Sequence, residues 1–195
     1  MPRAGLSPHA VVVAAADVAD EVGYANLTLA AVAKRFGVAL PSLYKHVDGL
    51  PGLRRMLTAQ VARELAAELA VATKGPPQRA LRALARTYRR YAHEHPGRYP
   101  ALVSAPDPDD VDSLAASEAA LEPILRVLGE YGIRGDVAID AARTLRSALH
   151  GFVSLELGGG FGLPRSVDRS FDRLVAALDA AFRAWDTTTA RAGRR

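Results

Sequence analysis

From Pro8 to Trp185 apolar residues recur at spacings of three and four, and no stretch alternates at period two with β-branched enrichment. That periodicity excludes sheet folds and requires an all-α chain. Local signals then set the helix limits. Ser7-Pro8 supplies an N-cap and a Pro at the first helical position, and Val11, Ala14, Ala15, Val18 and Val22 continue one stripe to Gly23. Thr28 caps a second helix, about Leu29 to Phe36, ended by Gly37. A third, short helix is expected from Pro41 to near Val47, and a fourth from near Pro51 to about Thr73. Lys74-Gly75-Pro76-Pro77 is the sharpest break in the chain. Beyond it the pattern predicts a helix to His93 and a short piece after Pro96-Gly97. A polar loop, Pro106 to Asp112, leads into a helix ending near Tyr131-Gly132, and two more span about Arg134 to Leu157 and Ser166 to Trp185. The expected organisation is a short-helix domain at 7–60, a long fourth helix, and a C-terminal helical bundle at 75–187.

Composition narrows the chemistry. Of the 195 residues, 49% are hydrophobic and 24% charged, which supports a packed core and argues against disorder. Cysteine is absent, so disulfides, thiolate nucleophiles and Cys-ligated metals are excluded. No apolar run approaches the roughly 18 residues of a membrane span. Arg3 followed by apolar Ala10–Ala16 imitates a signal peptide, but Asp17, Asp20 and Glu21 lie on the opposite face of the same continuing helix. Net charge is +4, unevenly spread: residues 74–103 hold 7 basic and 1 acidic side chains, whereas residues 1–73 hold 7 and 6. Charge alone therefore does not direct the N-terminal region toward nucleic acid.

The informative stretch is Leu27 to Leu57. A helix of about eight residues, a tight turn at Gly37 and a second short helix give helix-turn-helix spacing. Glycine there accepts a positive φ that would strain a Cβ. Val32, Phe36, Val38, Leu43 and Val47 are expected inside. A 100° step then places Pro41, Ser42, Tyr44 and Lys45 outside, with His46 at the edge and no acid before Asp48. Such a face suits phosphates and base edges. Spacing alone fits a solvated helix–loop–helix without a ligand equally well.

The segments Leu27-Thr28-Leu29-Ala30-Ala31-Val32-Ala33-Lys34-Arg35-Phe36-Gly37-Val38 and Leu40-Pro41-Ser42-Leu43-Tyr44-Lys45-His46-Val47 resemble the DNA-binding domain of the TetR family of bacterial repressors. The first helix with Gly23-Tyr24 matches too, and the likeness is strong over residues 7–60. Tyr88–Pro100 and Leu149–Phe171, with His150-Gly151-Phe152, are similar to a recurrent effector domain of that family. The resemblance implies that Thr28 caps the motif's first helix and reaches a phosphate. Leu40, Pro41, Ser42 and Lys45 would enter the major groove, while Tyr44 and His46 hold the backbone. Three positions depart from the pattern: Ala39 where a polar residue is usual, Leu50 where many members carry a phosphate-binding Lys, and Val47 where Phe is commoner. Backbone N–H groups at the start of the fourth helix are an alternative phosphate ligand.

Outside the motif, structural explanations cover most features. Gly158-Gly159-Gly160-Phe161-Gly162 follows a helix and lacks the Lys-Ser/Thr of a phosphate loop, so a helix end and connector is expected. His93-Glu94-His95 lacks the i, i+4 spacing of paired metal ligands. Asp107, Asp109, Asp110 and Asp112 read as acids at a helix N-terminus rather than a calcium loop. No metal or cofactor is expected. The stripes Leu145, Leu149 and Phe171, Leu174, Leu178, Phe182, Trp185 exceed what one small domain should bury against itself, and suggest a dimer interface. Tyr88, Tyr91, Tyr99, Leu102, Leu128, Tyr131, His150 and Phe152 suit the walls of a pocket for a small, mostly apolar or aromatic effector.

The expected function is a homodimeric transcriptional regulator in the cytoplasm, held at the nucleoid by a palindromic double-stranded DNA operator. Repression relieved by the effector is the leading reading. An activator, or a regulator without an effector, is the alternative. No convergent nucleophile and base supports an enzyme.

Overall fold

The structure, a computed structural model, describes residues 6–73, 75–103 and 105–186. These residues form seven α-helices, with 3-10 turns at Tyr24–Asn26, Leu40–Lys45 and Tyr99–Val103, and no strand. The helices are α1 (Pro8–Val22), α2 (Leu29–Phe36), α3 (Gly49–Ala72), α4 (Pro77–Glu94), α5 (Val111–Glu130), α6 (Asp136–Leu157) and α7 (Val167–Arg183). None of them is long and apolar enough to cross a membrane.

Helix starts follow the capping residues. Ser7 Oγ accepts from the Ala10 amide at 3.1 Å, Thr28 Oγ1 from Ala31 at 3.2 Å and Ser166 Oγ from Arg169 at 3.2 Å. Each bond satisfies an amide that the first helical turn leaves orphaned, contributing about 1 kcal/mol. Asp110 does the same for α5, accepting from the amides of Asp112 (3.0 Å) and Ser113 (3.3 Å) and from the Ser113 hydroxyl (3.0 Å). Those bonds, led by the Ser113 hydroxyl, lower its pKa below the usual carboxylate value.

Two compact units emerge, and neither is one continuous stretch. The first joins residues up to Leu65 with Tyr91–Ala120, and the second joins Ala66–Arg90 with residues from Leu121 onward. Gly and Pro breaks in a sequence mark where the chain turns, not which returning segment packs back.

In the first unit, α1 packs on α2 and α2 on the Leu40–Lys45 turn. Val11, Ala15 and Ala19 of α1, Val32 of α2, Leu43, and Leu53, Leu57 and Val61 of α3 form its fully covered core. The segment after α4 returns against α1 so closely that a Cβ on Gly97 would lie 2.0 Å from the Ala19 carbonyl oxygen. Only glycine fits there.

In the second unit, Leu81, Leu84, Leu128, Ile133, Leu145, Leu149, Val153, Phe171 and Phe182 are buried. Arg89 crosses this core edge, donating from Nε to Glu156 at 2.7 Å and from Nη2 to Asp168 at 2.7 Å, with its guanidinium 4.8 Å from the Phe171 ring. Asp179, mostly buried, gathers Tyr131 Oη (2.6 Å), Arg183 Nε (3.1 Å) and Gln78 Nε2 (3.3 Å).

Candidate nucleic-acid interface

The motif is α2, a turn at Gly37, and the six-residue segment Leu40–Lys45. Gly37 takes φ 66°, and the amides of Gly37 and Val38 bond back to Lys34 and Ala33 at 3.1 Å each. These bonds close α2 and redirect the chain as the Gly37 signal requires.

The second helix of the motif is 3-10 rather than the α-helix expected between Pro41 and Val47. Ser42 N bonds to Ala39 O at 2.9 Å and His46 N to Leu43 O at 2.8 Å, both i to i+3. The cause is brevity. Pro41 supplies no amide and Asp48-Gly49 follows at once, so an i to i+4 ladder cannot propagate and tighter bonds close first. One wider bond, Val47 N to Leu43 O at 3.1 Å, finishes the segment.

The tighter winding regroups the outer face without changing its members. At three residues per turn, Pro41 pairs with Tyr44 and Ser42 with Lys45. Leu43 is fully buried and Val47 nearly so, each contributing about 1.5–3 kcal/mol. Phe36 and Val38 are only half-buried. Outside stand Leu40, Pro41, Tyr44 and Lys45, with Ser42 and His46 half-exposed; Tyr44 is 58% exposed, a large aromatic surface left to water. Thr28 is also exposed. Its Oγ1 accepts from Ala31, which leaves the hydroxyl proton to donate outward. The face therefore offers an ammonium, a phenol, two hydroxyls and an imidazole, mounted on a buried anchor.

A polar network elsewhere in this unit was invisible in the sequence. Arg98 donates from its amide to Asp20 Oδ1 (2.8 Å) and from Nε to Asp20 Oδ2 (2.7 Å), and reaches Glu64 and Asp17 at 3.3 Å each. Tyr91 Oη donates to Glu64 at 2.8 Å, and His95 Nδ1 lies 3.4 Å from Asp20. The network ties α1 and α3 to the 91–98 segment. The partners sit up to 81 positions apart, so no local pattern announces them.

The expected pocket residues divide between the two units. Tyr91 and Tyr99 are buried in the first, where Leu102 packs on Ala59, Ala62 and Ala116. Tyr88, Leu128, Tyr131, His150 and Phe152 belong to the second. There Phe152 contacts Phe161 and Phe171 with centroids at 4.8 and 5.2 Å, while Tyr131 meets Phe182 edge-on at 5.9 Å. His150 lies 3.3 Å from Ser154 Oγ, and burial with the Arg146 charge lowers its pKa. A separate pocket of about 280 Å³ in the second unit is lined by Thr73, Gly75, Ala80, Arg126, Val127 and Glu130. Arg126 bonds Thr73 Oγ1 there at 2.6 Å.

The stripes expected at a dimer interface are largely covered within the single chain. Leu145, Leu149, Phe171, Leu178 and Phe182 are buried, and Leu174 and Trp185 are half-buried. Core packing of α6 on α7 consumes the apolar stripe that helical periodicity reveals. Among their exposed residues are small side chains, Ser147, Gly151 and Ser154 on α6 and Ala176, Ala177 and Ala180 on α7, alongside Arg143, Arg146, Leu155, Asp172 and Arg173.

Comparison with known proteins completes the picture. Residues 11–46 match the family model described as bacterial regulatory proteins, tetR family, and residues 81–178 match the tetracyclin repressor-like C-terminal domain. The HTH-type transcriptional regulator Rv0681 of Mycobacterium tuberculosis is 40% identical over 158 residues, covering 80% of this chain and 72% of the relative. YobS of Bacillus subtilis, also an HTH-type transcriptional regulator, is 35% identical over 156 residues, covering 79% and 81%. The solved structure of Streptomyces coelicolor ActR, a TetR family protein in complex with (S)-DNPA, superposes with a TM-score of 0.71 at 17% identity, covering 93% of this chain and 98% of that one, which establishes a shared fold. With both family models matched in order, and both relatives covered over more than two thirds of their length, this chain is a member of the TetR family: a DNA-binding transcriptional regulator and not an enzyme.

Proposed function

We propose that the protein is a repressor that binds a palindromic operator as a homodimer and leaves it when a small apolar or aromatic effector binds. Residues 7–60 form the DNA-binding domain in this reading, and residues 75–187 serve effector binding and dimerisation. One observation carries the DNA-binding part: Pro41, Tyr44 and Lys45 stand exposed, with Ser42 half-exposed beside them, on a turn locked by buried Leu43, with no carboxylate before Asp48. Leu40, Pro41, Ser42 and Lys45 read base edges, and Thr28, Tyr44 and His46 hold phosphates.

Two-fold symmetry follows from the need to contact two equivalent half-sites. The small-residue outer faces of α6 and α7 are suited to close helix approach, with Leu174 and Trp185 at their margin. Within the second unit, Phe152 and its aromatic neighbours, with Tyr88, Leu128, Tyr131 and His150, offer apolar walls with polar tips. The (S)-DNPA complex of ActR, a protein of the same fold, supports an organic effector. Release needs only about 1–3 kcal/mol of coupling between effector and operator.

The test is selection of bound duplexes from a random pool, followed by titration of the winner. A palindrome bound by two protomers is expected. A thermal-shift screen of aromatic metabolites then seeks a compound that stabilises the free protein and weakens the operator complex. Enriched sequences without dyad symmetry would refute the two-half-site reading.

A further inference from the structure

Arg54 is held in an unusual state for an arginine of its unit. Among the described arginines there, Arg35, Arg55, Arg63 and Arg98 each have a carboxylate within 4 Å, and Arg54 has none. Its Nε is buried without a hydrogen-bond partner. The guanidinium lies 5.4 Å from the Tyr24 ring centroid, and Nη2 reaches the Ala25 carbonyl at a long 3.4 Å. An arginine has five N–H donors in a planar fork; with Nε covered and Nη2 on the Ala25 carbonyl, the remaining Nη donors are those left for a ligand from outside. A stacked, preoriented guanidinium with no acid beside it is the arrangement that receives an oxyanion.

Position matters as much as chemistry. A helical side chain leans toward the N-terminus of its helix and covers the turn before its own Cα. Arg54 therefore projects over the first turn of α3, on the face that Leu50 shares at i−4. Leu50 brings no charge there. Ala25, which Arg54 touches, is three residues before Thr28, so at most about 10 Å of chain separates that contact from the cap of α2.

We propose that Arg54, oriented by Tyr24, binds a backbone phosphate of the operator next to the one expected at Thr28. The inference rests on the DNA-binding reading of the motif and adds a sequence-independent contact to it. The ring of Tyr24 limits the rotamers of the planar fork, and the Ala25 carbonyl sets its tilt. The contact contributes affinity on every sequence and discriminates between none.

The experiment is the salt dependence of binding, measured for wild type and Arg54→Gln on a selected operator and on a random duplex. Each lost phosphate contact reduces the slope of log K against log salt by about 0.9, so a two-fold complex should lose nearly 2 on both duplexes. Arg54→Lys should retain the slope. An Arg54→Gln slope equal to wild type, with a lowered melting temperature, would make Arg54 only a clamp on the 23–26 turn and overturn the proposal. A measurement on the unaltered protein guards against misfolding: the Arg54 Nε–H resonance should shift on adding random duplex, and an unmoved resonance contradicts the contact. Unimpaired binding by Lys45→Ala and Tyr44→Ala would instead refute the motif reading, whatever Arg54 does.

Discussion

Arg98 grips Asp20 twice, through its backbone amide at 2.8 Å and its Nε at 2.7 Å, across 78 positions of sequence. The side chain is 11% exposed and the carboxylate 22%, so the pair is sheltered enough for its hydrogen bonds to matter. Glu64 and Asp17 complete the arginine's set at 3.3 Å. Arg98→Ala should cost about 1–3 kcal/mol, because Asp20, Glu64 and Asp17 each lose a guanidinium donor together. Denaturant titration checks this. A variant within 0.5 kcal/mol of wild type would show that water satisfies the acids equally well.

Gly97 should tolerate nothing larger. A Cβ there would sit 2.0 Å from Ala19 O and 2.4 Å from Asp20 Cα, both backbone atoms that cannot swing aside. Gly97→Ala should therefore destabilise by about 3 kcal/mol or more, the upper range for overpacking, and should disturb Arg98 with it. A melting temperature unchanged in Gly97→Ala would contradict the close approach of this segment to α1.

Two groups of the second unit predict separate acid limbs. Burial opposes the Asp179 carboxylate, but hydrogen bonds from Arg183, Tyr131 and Gln78 and the Arg183 charge outweigh it and lower its pKa. A depressed carboxylate stabilises fully above its unfolded value near 4, and that stability is lost as pH falls through the lower native value. His150 is depressed by burial and by Arg146, so its protonation below about 6.5 favours the unfolded chain. Asp179→Asn should flatten the stability profile below about pH 4, and His150→Gln the shallower decline from about 6.5 downward. Unfolding free energies at half-unit pH steps will separate the two; identical profiles would show that neither native pKa is depressed.

Much of this was legible because it is local. Caps at Ser7 and Thr28, stops at Gly23 and Gly37, and the spacing of Leu27 to Val47 all act within a few residues, and α1 and α2 begin where those signals stand. One difference and one ambiguity share a cause. The segment after Pro41 was expected as α-helix because periodicity cannot tell a 3.6-residue from a 3.0-residue turn over six positions. The apolar stripes of α6 and α7 suggest a partner, and Leu145, Phe171 and Phe182 are already buried within the single chain. Periodicity reports that a face is buried, not against what. The Arg98 network and the unpaired Arg54 depend on long-range placement and leave no trace in local pattern.

The dimer reading is best tested where the single chain is indifferent. No atom lies within 4 Å of a Cβ built on Gly151, in the outward face of α6. Gly151→Arg should leave the isolated protomer intact, or stabilise it by about 0.5–1 kcal/mol through reduced chain entropy. Sedimentation should show monomers, and operator affinity should drop by 10²-fold or more as tethering of the second half-site is lost. An unchanged dimer would place the interface away from this face. A charge at Phe182, only 1% exposed within its own unit, would instead destabilise the protomer itself.

The central claim is that the exposed face of the Leu40–Lys45 turn reads the operator. The direct measurement is equilibrium binding of wild type, Tyr44→Ala and Lys45→Ala to the selected operator and to each of its single-base variants, with fold and dimer mass verified. Tyr44→Ala should weaken all duplexes about equally, as a lost phosphate contact does, whereas Lys45→Ala should relax discrimination by about 1–3 kcal/mol at one position per half-site. If both variants bind every duplex as wild type does, this turn is not the recognition element.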